Sequence, residues 1–100
     1  MRLRLATTLD KAVRASAFSS YRELARAAGI DQAHLHLISA GKKDTWLSTL
    51  VALVETLGLS MAELGRLFDE ITAKEITAKE IVAYVQVLEE RRKQKGNSYL

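Results

Sequence analysis

The chain has no cysteine and no proline. Without cysteine it can carry neither a disulfide framework nor a thiolate-ligated metal. Without proline no helix is broken from inside, and a hydrophobic content of 48% leans toward a helical globular fold. Long apolar runs are missing as well: Leu50–Val54 is a typical maximum, far short of the ~20 residues that span a bilayer. The opening stretch MRLRLATTLDKAV has basic residues but no apolar run of signal-peptide length. A soluble, cytoplasmic protein is the expectation, and 100 residues suffice for one small core.

Charge is present in both signs but unevenly placed. Residues 1–50 hold eight basic and four acidic groups; residues 51–90 hold three basic and eight acidic. Arg91, Arg92, Lys93 and Lys95 then make the end basic again. A cationic first half suits contact with phosphate, and the acidic middle belongs away from it.

The most informative stretch is Ser20–Gly41, SYRELARAAGIDQAHLHLISAG. Ser20 is a good N-cap and Glu23 stands three residues on, the spacing of a capping box. Leu24, Ala25 and Ala28 form an apolar face over 21–28, and Gly29 stops that helix because glycine enters the left-handed conformation without steric cost. Ile30 turns inward. Asp31 caps a second helix over 32–40 with Leu35 and Ile38 buried, and Gly41 closes it. Ala25 is small enough to let the second helix cross steeply above it.

These residues resemble the helix-turn-helix of phage repressors and Cro, the XRE family: Ala25, Gly29, and apolar Leu24, Ile30, Leu35 and Ile38 at the family's spacing. GKKDTWLSTLVALVETLGLSMAEL is similar to the family's fourth helix, leucine-glycine turn and fifth helix. The resemblance covers roughly residues 3 to 68, about two-thirds of the chain. It implies an all-α, lambda-repressor-like bundle of five short helices containing a helix-turn-helix, with an extra C-terminal helix. The expected organisation is a DNA-binding domain over 1–69, a helical extension over 70–93 that serves as a dimerisation element, and a flexible tail over 94–100.

The remaining elements follow from periodicity. Leu5, Leu9 and Val13 predict a helix over about 3–17 that ends at Phe18. Leu47, Leu50, Val51, Val54 and Leu57 predict the buried face of a helix over about 46–57, capped by Asp44 or Thr45. Ser60 and Glu63 form a second capping box ahead of Leu64, Leu67 and Phe68. A fivefold repeat follows, Glu-Ile-Thr-Ala-Lys at 70–74 and 75–79, echoed at 80–84. Five residues rotate about 140° around a helix beyond one full turn, so Ile71, Ile76 and Ile81 cannot share a stripe. Thr72/Glu75 and Thr77/Glu80 each offer a helix start, and Glu70–Lys74 and Glu75–Lys79 are favourable i,i+4 pairs. Beyond them Ile81, Val85 and Leu88 share a face with Tyr84 and Val87 beside it. That face either folds back on the bundle or meets a second subunit.

For DNA, the resemblance implies base contacts from the outward residues Gln32, Ala33, His34 and Leu37 at the major groove. A glutamine amide at Gln32 can bond adenine N6 and N7 together, and His34 can donate to guanine N7 or a phosphate. Ala33 and Leu37 offer apolar contact to a thymine methyl. Backbone contacts are expected from Ser20, Tyr21, His36, Lys42 and Lys43, with Arg14 facing a phosphate because Ser39 stands where the family has its partner glutamate. Dimerisation is assigned to Ile81, Tyr84, Val85 and Leu88. No enzyme is expected, since His34 and His36 point to different sides of a helix and there is neither a triad nor a glycine-rich phosphate loop. No cofactor or metal is implied. The expected partners are double-stranded DNA and a second copy of the chain, without a membrane. Two alternatives stand beside the sequence-specific transcriptional regulator: an antitoxin whose C-terminal part binds a small protein, and a helix-turn-helix used only for protein interaction.

Overall fold

Everything packs around the first helix, α1 (Arg2–Arg14). In the computed structural model, which describes residues 1–98 with side chains through Lys93, the chain is all-helical. After α1 come α2 (Tyr21–Ala28), α3 (Gln32–Ser39), α4 (Leu47–Thr56), α5 (Met61–Glu70) and α6 (Ala73–Ser98). Leu9 and Val13 of α1 meet Leu24 and Ala25 of α2, Leu35 and Ile38 of α3 and Leu53 of α4 in one core, with Leu5 and Phe18 packed against it. Two threonines, Thr7 and Thr8, are also buried in α1. Their hydroxyls donate back to the carbonyls of Leu3 and Arg4, both at 2.7 Å, so neither is left unpaired in the interior.

The α2–α3 pair forms as its residues dictate. Gly29 sits at φ 70°, and the Ile30 and Gly29 amides donate to the Ala25 and Arg26 carbonyls at 2.9 and 3.4 Å, the paired bonds of a Schellman stop. Gly41 repeats the arrangement at φ 73°, and a Cβ there would lie 2.8 Å from Leu3 Cδ2. Its left-handed backbone angle is what favours glycine there; the Leu3 side chain can swing aside. Ser20 caps α2 by accepting from the Glu23 amide at 3.2 Å. The expected box is displaced by one residue, however: the Glu23 carboxylate accepts from the amide and hydroxyl of Ser19, which hold it below its ordinary pKa. Asp31 caps α3 as expected, accepting from the His34 amide at 3.1 Å.

Helix α4 departs from expectation in two ways. Its N-cap is Trp46, with no side-chain cap from Asp44 or Thr45. Asp44 instead pairs with Arg2 at 3.1 Å. Its buried face also shifts in part: Val54 is buried as expected and Leu50, Val51 and Leu57 are half-buried, but Leu53 joins the core and Leu47 is exposed. A helix apolar on several sides has no unique inward stripe in its sequence, and the approach of α2 decides which side is covered. The capping box of α5 is complete, with Ser60 and Glu63 exchanging bonds at 3.1 and 3.2 Å.

The α5–α6 junction depends on Arg4. Its guanidinium donates to the carbonyls of Phe68 and Ile71, both at 2.9 Å, and lies 5.5 Å from the centre of the Phe68 ring. An arginine from α1 thus adds a second donor to the Phe68 carbonyl, which also accepts from the Ile71 amide at 3.4 Å, and satisfies the Ile71 carbonyl just beyond α5. Of the two offered starts, α6 uses the first: Thr72 accepts from the Glu75 amide at 3.2 Å, and the Glu75 carboxylate accepts from Thr72 in return. Thr77 bonds back to the Ala73 carbonyl. Glu75 and Lys79 do not pair with each other; they cross to α1, Glu75 to Lys11 at 2.7 Å and Lys79 to Asp10 at 2.8 Å. The three repeat isoleucines part company: Ile71, in the extended link before α6, is buried, while within α6 the rotation of about 140° between Ile76 and Ile81 leaves the first half-buried and the second exposed. At ~1.5 Å per residue α6 is much the longest element, and the molecule measures 51 × 31 × 23 Å. Among the described residues no single helix is long and apolar enough to cross a membrane. The backbone of α6 is helical to Ser98, while the side chains of the tail expected at 94–100 lie outside the described residues.

Candidate nucleic-acid interface

Helix α3 is anchored from behind. Leu35 is 0% and Ile38 1% exposed, against α1 and α2, so the opposite side of the helix has to face outward. On that side Gln32, Ala33 and His36 are exposed, and Leu37 keeps 37% of its surface. His34 is half-buried on the flank. The Asp31 cap and the Gly29 stop hold the first turn, and hence Gln32 and Ala33, in place. Ser39 is buried, its hydroxyl donating to the His36 carbonyl at 2.8 Å.

The expected backbone-contact residues do not form one set. Lys42 and Lys43 are exposed just beyond α3, with the Lys42 amide closing the helix on the Leu37 carbonyl at 3.0 Å. Ser20 is exposed, its side-chain oxygen engaged as the cap of α2. Tyr21 is different. It is half-buried and its hydroxyl donates to the Asp10 carboxylate. Burial, followed by that bond, raises its pKa well above the ordinary phenol value. Asp10 also holds Lys79, so Tyr21 belongs to a polar junction of α1, α2 and α6, and its hydroxyl has no lone approach to a phosphate. Arg14 is exposed but lines the groove between α1 and α6, with Lys11, Asp10, Glu75 and Lys79 as neighbours.

Helix α6 also borders the face. Past its ion pairs with α1 it runs beside the C-terminal half of α3, where Gln86, Val87, Glu89, Glu90 and Lys93 share a groove of about 280 Å³ with His36, Ala40 and Lys42. None of the residues lining this groove belongs to the first turn of α3, so Gln32 and Ala33 stay clear of it. On its other side α6 turns Ile81, Tyr84, Val85 and Leu88 to solvent, between 43% and 64% exposed, while Val82 borders the groove with α1. So many large apolar side chains on one face of one helix is unusual for a surface without a partner. The placement of Glu89 and Glu90 beside α3 was not readable from local pattern. Two adjacent carboxylates late in a helix look like an ordinary solvated face.

The described residues contain no group of three or more side chains able to hold a metal ion. What they define is an all-α bundle that presents a short, well-anchored helix to solvent. Family models, characterised proteins and solved structures give no match to the chain.

Proposed function

We propose that the protein is a sequence-specific DNA-binding transcriptional regulator with a lambda-repressor-like helix-turn-helix, α2–α3, of the phage-repressor and Cro kind. One observation carries this reading: Gln32 and Ala33 stand exposed on the first turn of a helix whose other side is locked by Leu35 and Ile38. A helix fixed in that way can enter a major groove without losing its position, and its first turn meets base edges. Gln32 is the principal base reader; Ala33 and Leu37 touch thymine methyls, and His34 reaches the edge of the contact. Lys42 and Lys43 supply phosphate contacts. One short helix buries little surface, so two copies on a two-fold site make the assembly, joined through Ile81, Tyr84, Val85 and Leu88.

The same exposed stripe favours a second reading, in which α6 masks a small protein partner and the chain acts as an antitoxin. Copurification of such a partner separates the two.

The test is selection of duplex DNA from a random pool, followed by binding of the selected site and of an unrelated duplex across a salt series. A steep fall of log affinity with log salt is expected. Gln32→Ala should weaken the selected site by about 1–3 kcal/mol and leave the unrelated duplex nearly unchanged. Equal loss on both duplexes removes Gln32 from the reading role.

A further inference from the structure

The two ends of α3 have different electrostatic surroundings. Its first turn is open, whereas its last turn and Lys42 face Glu89 and Glu90 across the groove. A space of about 280 Å³ holds on the order of ten water molecules. Charged groups lining one groove act on each other through the water between them, screened over about one Debye length, roughly 8 Å at physiological ionic strength. The charged and titratable groups of this groove are His36 and Lys42 from the α3 side and Glu89, Glu90 and Lys93 from α6. No ion pair among the described residues joins either glutamate to Lys42. The carboxylates therefore occupy the field of the lysine without locking its side chain.

Resting on the DNA reading above, the geometry points to Glu89 and Glu90 as the residues that set the strength of the DNA contact, by competing with backbone phosphate for His36 and Lys42. A phosphodiester is an anion with acceptor oxygens, and so is a carboxylate; a cation that lines one groove with two carboxylates has less to offer a phosphate. The competition acts on the backbone-contact end of α3 and leaves the base-reading end untouched. Glu89 and Glu90 thus lower affinity for all sequences alike, and selectivity stays with Gln32. Arrival of DNA at Lys42 must displace that carboxylate field, so anything that moves the last turns of α6 changes affinity without changing the preferred site.

The experiment compares the full chain with Glu89→Gln/Glu90→Gln on the selected duplex and on an unrelated one. Both glutamates are exposed, and glutamine is a comparably good helix former, so helicity by circular dichroism should match. Affinity for both duplexes should rise by about three- to tenfold, the range expected for two exposed charge interactions. The salt slope should steepen by a fraction of one, as Lys42 commits more fully to its phosphate. Adding Lys42→Ala should remove most of that gain. A control variant, Glu55→Gln/Glu70→Gln, deletes two carboxylates from α4 and α5 outside this groove and should change affinity less than twofold.

An equal gain in the control, or no gain in Glu89→Gln/Glu90→Gln while the wild type binds DNA, overturns the competition and leaves the DNA reading standing. Absence of salt-dependent binding by wild type and variant alike overturns the DNA reading itself.

Discussion

Helices α1 to α3 and helix α6 solve the same problem in opposite ways. The first three turn Leu9, Val13, Leu24, Leu35 and Ile38 inward and leave most of their charge outside. Helix α6 docks by charge, through Lys79 on Asp10 and Glu75 on Lys11, and turns Ile81, Tyr84, Val85 and Leu88 outward. The difference separates two kinds of attachment. The bundle is held by burial, which is strong and nearly indifferent to salt. The extension is held by polar contacts at its beginning, while its apolar surface remains free for another molecule.

The sharpest way to break this contrast is to truncate one leucine from each region. Leu35→Ala should cost about 2–5 kcal/mol in urea unfolding, since it opens a cavity in a closed core. Leu88→Ala, at a half-exposed position, should cost roughly 0.5 kcal/mol in dilute protein but lower the concentration-dependent association seen by light scattering. Similar unfolding costs at the two sites would mean that the stripe is part of the core after all.

A smaller effect tests the hinge between the regions. Arg4→Met keeps the alkyl stem but removes both bonds to the Phe68 and Ile71 carbonyls, and should cost about 2 kcal/mol. Amide exchange should quicken at the start of α6 before it does in α3. Uniform quickening would place Arg4 in the common core.

The smallest effect concerns pH. Glu75 is held below the ordinary carboxylate value of 4.5, first by the Lys11 ammonium and then by Thr72. A carboxylate lowered in the folded state adds stability above its unfolded value and loses it as pH falls through the folded one. The wild type should therefore lose stability faster than Glu75→Gln between neutral pH and acid below 4.5, read as unfolding midpoints at each pH. Parallel curves would show that the Lys11–Glu75 pair contributes nothing in solution.

Much of the α2–α3 region was legible because its signals are local. A serine cap, a left-handed glycine and apolar residues three or four apart act within one turn of chain, and the residues from Ser20 to Gly41 carry all of them. The inward side of α4 was not legible: with Leu47, Leu50, Val51, Leu53, Val54 and Leu57 all apolar, only the packing of α2 selects Leu53 and leaves Leu47 outside. Nor was the fate of Tyr21. Its phenol looks free in sequence, and its partner Asp10 lies eleven residues away on another helix. Arg4, Lys11 and Lys79 likewise look like solvated cations until the elements that receive them are brought close.

By itself the amino-acid sequence determined where α2, α3 and α5 start and where glycines stop α2 and α3, which faces of α1 and α3 are apolar, and which half of the chain is cationic. These follow from backbone sterics, capping and periodicity, which need no distant partner. Only the tertiary structure decided that Asp10 joins three helices, that an arginine of α1 closes the end of α5, and that two glutamates of α6 stand beside the last turn of α3. Each of those is a meeting between residues far apart in the chain, and charge acts through space, whatever the separation in sequence.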